Sequence, residues 1–287
     1  KEKDKTDSEN FVEELVGCFL NDVVMTDIEY DNQFINQHLE GIKLTEINAL
    51  VKKLITKENR VLALIGSEKD KASLPTEAQL KGWLDNTGSK ITAYVDEAVA
   101  TSLVEKKPNP GKIVSENKIE EIGVTEIVFE NGLKVNLKPT DFKNDEIKFR
   151  GTSWGGNSLY EDADFMNAAF SSMIASTSGN GNLKASALSK FMSGKVAQVN
   201  ASVGGTTEGI SGSSSVKDFE TALQMVYNRF TNNKLDPEAA KGALANQKDF
   251  MLNMEKTPTP EKVFNDSVQV VMGNGAYRAQ PMTSERM

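Results

Sequence analysis

The dipeptide Asn131-Gly132 is the feature that most constrains how this chain of 287 residues can fold. It lies within TEIVFENGLKVNLKP, where it separates two runs in which apolar and polar residues alternate. Such alternation is typical of strands with one buried face, and Asn-Gly suits a tight turn because both residues tolerate a positive φ. The stretch therefore predicts an antiparallel hairpin, which a third strand, DEIKFRGTSW, would extend to a sheet.

The sequence after this hairpin alternates between helical and strand patterns. Two helices are predicted over about 160–177 and 184–192, followed by two strands, KVAQVNASV and TTEGISGSSS, that meet at Gly204-Gly205. SVKDFETALQMVYNRF then predicts a helix with Ser215 as its cap and Phe219, Leu223, Val226 and Phe230 on its core face, and further helices start at Pro237 and near 260. This order of elements predicts an α+β domain with helices packed on an antiparallel or mixed sheet.

The sequence before the hairpin is mainly helical in pattern. Helices are predicted over 9–20, 27–41, 44–56 and 74–88, with Thr45 as the cap of the third, and the apolar run 61–65 predicts a buried strand. Between 96 and 118 the periodicity is lost, and Pro108, Pro110 and Gly111 occur among charged residues. We therefore expect one domain over 1–95, a linker over 96–118 and a second domain over 119–287.

Charge and rare residues exclude several classes of function. The net charge is −8, with no basic run, which argues against nucleic acid as a partner, and no apolar run is long enough to span a membrane. One cysteine, Cys18, and one histidine, His38, rule out an internal disulfide and a Cys-pair metal site. His38 lies in a predicted helix and is interpreted as a structural residue.

The stretch FMNAAFSSMIASTSGNG, residues 165–181, predicts a buried helix that ends in a glycine-rich turn. It contains no histidine, glutamate or cysteine. The serine-rich GISGSSS does not match the G-x-S-x-G motif and is interpreted as the end of a strand before a helix cap. The methionines occur at helical spacing, which favours core filling over an adaptable surface for peptides.

Three stretches together resemble the pitrilysin/insulinase-type zinc metallopeptidases. IVFENGLKVNLKPTDFKNDEIKFRGTSWGG is similar to the opening hairpin and third strand of a domain of that family, and the stretch from LKASALSKFMSGKVAQVNASVGG to NNKLDPEAA is similar to its later elements. IEYDNQFINQHLEGIKLTEINALVKKLITKENRVLALIGSEKD resembles the end of the preceding domain. The resemblance implies two partial or complete pitrilysin-like domains, namely the end of the second domain and most of the third.

This resemblance also implies that different domains of the parent protein have different roles. In the family, two halves close over an unfolded peptide, and only the first domain carries the inverted zinc motif H-x-x-E-H. The corresponding positions here fall near Phe170, Met173 and Ile174, none of which can ligate zinc. The resemblance thus implies no cofactor in this chain, zinc in the first domain of the parent, and no transferred substrate role for Tyr277 or Arg278.

From the sequence we hypothesise that this chain is a non-catalytic part of a zinc metalloendopeptidase. It would enclose extended peptides, which are hydrolysed at a zinc site on another domain. Its partners would be the peptide substrate and the other domains of the same parent chain, in the periplasm or outside the cell if the parent is bacterial. Phe170, Ser171 and Met173 are the candidate substrate-facing residues, and packing in the domain core is their alternative role. The competing hypothesis is an inert scaffold or assembly protein that retains a peptidase-like fold.

Overall fold

The computed structural model describes residues 5–56, 58–66, 68–86, 91–92, 95 and 100–287. The chain divides into two compact units, Lys3–Asp96 and Glu97–Met287. Helices together with small antiparallel sheets make the chain an α+β protein, as the sequence predicts.

The first unit contains the four predicted helices. Their bounds are Ser8–Asn21 (α1), Ile28–His38 (α2), Leu44–Leu54 (α3) and Glu77–Asn86 (α4). The carboxylate of Asp27 caps α2 by accepting a hydrogen bond from the backbone N–H of Tyr30 at 2.8 Å. Thr45 does not cap α3, because that helix begins at Leu44 and the preceding Lys43 N–H donates to Glu46 Oε2 at 2.8 Å.

The prediction of a buried strand over 61–65 is wrong. This segment has no regular secondary structure, and Val61 and Ile65 are 95% and 93% exposed. A strand is stable only when its backbone groups pair with a neighbour. Among the described residues of this unit no other strand occurs, so the apolar run has no partner with which to pair.

The first sheet of the second unit contains the predicted hairpin. β2 (Val124–Phe129) pairs with β3 (Lys134–Leu137), and β1 (Ile113–Ile119) pairs with the other side of β2. Of the two turn residues only Gly132 has a positive φ, of 85°, and its N–H donates to Phe129 O at 2.8 Å. The turn is therefore a three-residue loop that ends at a left-handed glycine, rather than the expected pair of left-handed residues.

The predicted third strand, β4 (Ile147–Trp154), does not extend this hairpin. It pairs instead with β6 (Thr207–Ser214), which also pairs with β5 (Ala197–Val203), so the second sheet has the order β4-β6-β5. Pro139, just after β3, lacks the N–H that a continuing ladder would need, and the chain leaves the first sheet there.

The segment 96–118 includes ordered parts of the second unit. β1 begins at Ile113, and Leu103 is 3% exposed and belongs to the core of that unit. Proline, glycine and charge indicate a linker from composition alone, whereas one apolar side chain is enough to anchor such a segment to a core. The division into 1–95, 96–118 and 119–287 remains a prediction.

The second unit also contains helices, two of which pack on one face of the second sheet. Their bounds are Phe165–Thr177 (α5), Ala185–Phe191 (α6), Phe219–Thr231 (α7), Pro237–Lys256 (α8) and Pro260–Gly273 (α9). α5 and α7 pack against β5, and α8 packs against α5. The core contains Leu103, Phe191, Ala197, Val199, Ala222 and Met225, with Phe149 and Ile210 packed against it.

The buried face of α7 differs from the predicted one. Ala222, Met225 and Asn228 are buried, whereas Leu223 and Phe230 are 47% and 76% exposed. Helical spacing identifies which residues share a face, but β5 decides which face turns inward. Close packing against a strand favours the small Ala222 over a larger side chain at that position.

The start of α7 is held by a buried carboxylate. Asp218, the residue before α7, accepts hydrogen bonds from the backbone N–H of Val196 at 2.9 Å and from the Ser215 hydroxyl at 2.8 Å. Ser215 is therefore not the N-cap of α7, although its hydroxyl also accepts the backbone N–H of Asp218 at 3.1 Å. These donors, the Val196 N–H first, lower the pKa of Asp218 below its ordinary value of 3.8.

We expect acid to destabilise the second unit through this group. Because the pKa of Asp218 is lower in the folded state, its ionised form contributes stability that is present above pH 3.8 and is lost as the pH falls through the lowered value. Asp236 and Glu255 act in the same direction, since backbone N–H groups of α8 and the hydroxyl of Ser284, respectively, lower their pKa values.

Urea unfolding between pH 7 and pH 2 measures this effect. The free energy of unfolding should stay nearly level down to about pH 4 and fall steeply below it. Asp218→Asn should flatten that fall, while Asp249→Asn, at an exposed position of α8, should leave it unchanged. An identical acid profile for Asp218→Asn and the unmodified chain would contradict the assignment.

Candidate functional site

Helix α5 is where the resemblance would place the zinc motif, and its side chains carry no ligand chemistry. Its sequence is FMNAAFSSMIAST, which contains no imidazole, thiol or carboxylate. The hydroxyl of Ser171 donates to Ala168 O at 2.7 Å, and that of Ser176 to Ser172 O at 2.9 Å. Hydroxyls that are bonded to the carbonyls of their own helix have no general base beside them and are not activated nucleophiles.

Other candidate ligands are scattered. Within the part of the chain that the structure describes, no group of three or more His, Cys, Asp or Glu side chains could hold a metal ion. His38 is exposed at the end of α2, where its ring lies 4.5 Å from the ring of Phe34. The serine-rich run forms the end of β6 and the turn before α7, as the sequence indicates.

A groove of about 360 Å³ lies between α5, the connection that follows α7, and α8. Phe170 and Ser171 line it, together with Met166, Asn167, Ile174, Ala175, Ser178, Asn233, Lys234, Leu235, Leu244 and Met287. Met173 does not line this groove and lies on another part of α5. The structure thus brings together two of the three residues that the sequence singles out as substrate-facing.

Arg229 of α7 contacts two of the residues that line this groove. Its Nη1 donates to Ala175 O at 2.7 Å and to Asn233 Oδ1 at 3.2 Å, and burial lowers the pKa of its guanidinium. Its Nε is buried without a hydrogen-bond partner among the described residues. Arg229 therefore joins α5 to the segment that follows α7.

The opposite face of the second sheet forms a second concave surface, which we call the outer face. Strand alternation places Lys148, Arg150, Thr152 and Trp154 of β4 on it, beside Thr207, Gly209, Ser211 and Ser213 of β6 and Gln198, Asn200 and Ser202 of β5. A groove of about 190 Å³ crosses this face at Gly209, which is paired with Thr152 on one side and Ser202 on the other. None of the expectations from the sequence includes this surface, although the period-two spacing of its β4 residues in DEIKFRGTSW signals it.

Arg278 serves a structural role in the second unit. Its Nε lies 2.6 Å from Asp162 Oδ1, its Nη1 donates to Asn157 O at 2.8 Å, and its Nη2 donates to Tyr160 O. Its guanidinium also lies over the ring of Phe165, 5.5 Å from the ring centroid. These contacts tie the segment after α9 to the connection between β4 and α5.

Comparison with known sequences finds a similar protein that is described as a zinc protease. No family model matches the sequence. A protein of Arabidopsis thaliana described as "Zinc protease PQQL-like" is 26% identical over 290 residues, an alignment that covers 98% of this chain and 27% of the relative. The chain therefore spans about a quarter of the length of that relative.

Solved structures agree at the level of the fold. The periplasmic protease PqqL from Escherichia coli superimposes with a TM-score of 0.55 at 17% identity, and the match covers 99% of this chain and 31% of PqqL. A mutant of the ferredoxin protease FusC, in complex with Arabidopsis ferredoxin, gives a TM-score of 0.53 at 12% identity over 98% of this chain and 31% of FusC. The comparisons confirm that this chain resembles the pitrilysin/insulinase-type zinc metallopeptidases. The similarity covers nearly the whole length of this chain and about a quarter to a third of the length of each similar protein.

Proposed function

We propose that this chain is the non-catalytic, substrate-enclosing part of a zinc metalloendopeptidase, and that hydrolysis takes place at a zinc site on another domain of the same parent chain. The observation that carries the proposal is the pitrilysin-like fold combined with the composition of α5, whose side chains could neither bind zinc nor activate water. The sequence similarity to a zinc protease supports an active parent. That FusC was solved with a protein bound to it supports a polypeptide substrate.

The mode of binding that we propose is addition of the peptide to a strand edge. β4 pairs with β6 along its whole length, and no strand pairs with its other side among the described residues. The backbone groups on that side are available to an extended peptide. Main-chain pairing of this kind gives affinity with little dependence on sequence, which suits an enzyme that takes unfolded substrates.

The proposal also includes contacts between side chains of this chain and side chains of the bound peptide. Phe170 and Ser171 line the groove beside α5 and remain candidates to receive a substrate side chain. Met173 lies outside that groove, and a substrate contact at this residue stays a prediction.

None of the described helices is long and apolar enough to cross a membrane. We also propose a periplasmic or extracellular location if the parent is bacterial, as PqqL is periplasmic.

Binding of an unstructured, fluorescently labelled peptide to this chain tests the proposal. Fluorescence anisotropy should show saturable binding. A matched peptide with N-methyl groups on alternate residues should bind at least about tenfold more weakly, because it has lost the N–H donors along one edge. Equal binding of the two peptides would contradict strand addition, and no binding of either would contradict peptide binding by this chain.

The longer parent protein provides the test of enclosure. Zinc-dependent cleavage of a quenched peptide should require this segment, and should return when it is added to the zinc-bearing part. No cleavage in any combination, with no zinc retained by that part, would favour the inert scaffold instead.

A further inference from the structure

Charge on the outer face has the opposite sign to that of the protein as a whole. The chain carries a net charge of −8, yet the side chains that strand alternation places on this face include two basic residues and no acidic one. Glu208 is also among the residues that line the groove, but its pairing with Ser153 places its side chain on the helix-covered side of the sheet. Strand alternation therefore places positively charged side chains and no carboxylate on this face of an acidic protein.

Arg150 is the cation of this face that is free to bind a ligand. Lys148 forms an ion pair with Glu146, with 3.3 Å between Nζ and Oε2. The guanidinium of Arg150 makes no ion pair or hydrogen bond with any described residue and lies beside the groove. An arginine presents several N–H donors in one plane, which matches the two oxygens of a carboxylate.

The shape of the groove suits a chain in an extended conformation. Gly209 occupies the centre of the face, so that a backbone can approach the sheet closely. Hydroxyl and amide groups of Thr152, Ser202 and Asn200 surround that point and can pair with peptide groups. Trp154 lies on the same side of β4, two residues beyond Thr152, and is 84% exposed.

We propose that the outer face binds an extended peptide segment that carries an acidic side chain. Arg150 binds the carboxylate, Gly209 provides the floor, and Trp154 packs on an apolar neighbour in the same segment. An exposed indole can cover a large apolar area of a bound peptide while its N–H stays available for hydrogen bonding. This inference rests on the proposed function and adds to it a second peptide contact, on the face of the sheet opposite the helices, that selects among peptides.

Three peptides of one sequence test this preference, with Glu, Gln or Lys at a central position. A Trp83→Phe background leaves Trp154 as the single tryptophan, so that its fluorescence reports on this face. The Glu peptide should bind roughly fivefold more tightly than the Gln peptide, with the Lys peptide weakest, and added salt should reduce the difference. Each binding peptide should protect Trp154 from quenching by iodide.

Matched substitutions identify the residue responsible. Arg150→Ala should make the Glu and Gln peptides equal in affinity, and Arg150→Lys should restore part of the difference. Lys148→Ala removes the same charge from the same face and should preserve the preference. Trp154→Ala should weaken all three peptides to a similar extent and leave their order unchanged.

The two proposals fail in different ways. If no peptide binds the unmodified chain by anisotropy, the proposed function fails. If the peptides bind but show equal affinities, or if Arg150→Ala and Lys148→Ala have equal effects, then the chain binds peptides without the acidic preference and the inference about the outer face is wrong. Binding that leaves Trp154 fully open to iodide would place the peptide elsewhere.

Discussion

Replacing Asn228 with alanine is expected to destabilise the second unit by about 3 kcal/mol, because the change removes a buried donor from two acceptors and opens a cavity. Asn228 is 1% exposed, and its Nδ2 donates to Leu103 O at 3.0 Å and to Asn180 Oδ1 at 2.9 Å. Asn180 in turn donates to Met225 O at 3.1 Å. This network joins the loop after α5 to α7 and to the segment around Leu103.

Urea unfolding followed by hydrogen exchange of peptides from α7 measures the loss in the second unit. Asn228→Asp should destabilise the unit too, since an ionised carboxylate has no N–H to donate to Leu103 O. Asn253→Ala, at an exposed position of α8, is the control and should change the free energy of unfolding by less than about 0.5 kcal/mol. A loss at Asn228 as small as that at Asn253 would show that the network does not stabilise the fold.

Replacing Gly179 with alanine is expected to cost about 3 kcal/mol or more, through steric conflict added to backbone strain. Gly179 has a φ of 98°, and an added Cβ would lie 2.1 Å from Leu183 O and 2.8 Å from Lys184 C. Both atoms belong to the backbone and cannot move aside as a flexible side chain could. They are fixed because Asn180 and Leu183 exchange backbone hydrogen bonds of 2.9 and 3.1 Å.

Gly194 separates the two contributions to this cost. It also has a positive φ, of 76°, but a Cβ there would meet nothing within 4 Å. Gly194→Ala should therefore cost only about 1 kcal/mol, from backbone strain alone. The same urea titration compares both variants, and equal losses at the two positions would mean that the close backbone approach at Gly179 does not exist.

Local sequence patterns predict the helices and the strand pairs that are adjacent in the chain. Helix α2 follows from the apolar spacing within 27–41, and β5 and β6 follow from alternation on both sides of Gly204-Gly205. In these elements, backbone hydrogen bonds and side-chain periodicity involve residues close in sequence. Local information is therefore sufficient for them.

Patterns fail where a distant partner decides the outcome. The run 61–65 has strand character, but the described part of its unit contains no strand with which it could pair. Strand β4 pairs with β6 rather than with the hairpin that precedes it. The segment around Leu103 has the composition of a linker, and its side chain enters a core of residues from 191 to 225, while the division into domains and linker stays a prediction. Each outcome depends on contacts between residues far apart in the chain, which a local window cannot contain.

The sequence by itself determined the absence of a zinc motif, because one histidine in 287 residues cannot form one, and it determined the α+β class and the resemblance to pitrilysin-type peptidases. Only the tertiary structure decided which side chains share a surface. It separated Met173 from Phe170 and Ser171, and it set Arg150, Gly209 and Ser202 beside one another on three strands. The reason is physical: residue types limit the chemistry that is possible, whereas a binding surface requires that those residues be brought together by strand pairing and packing.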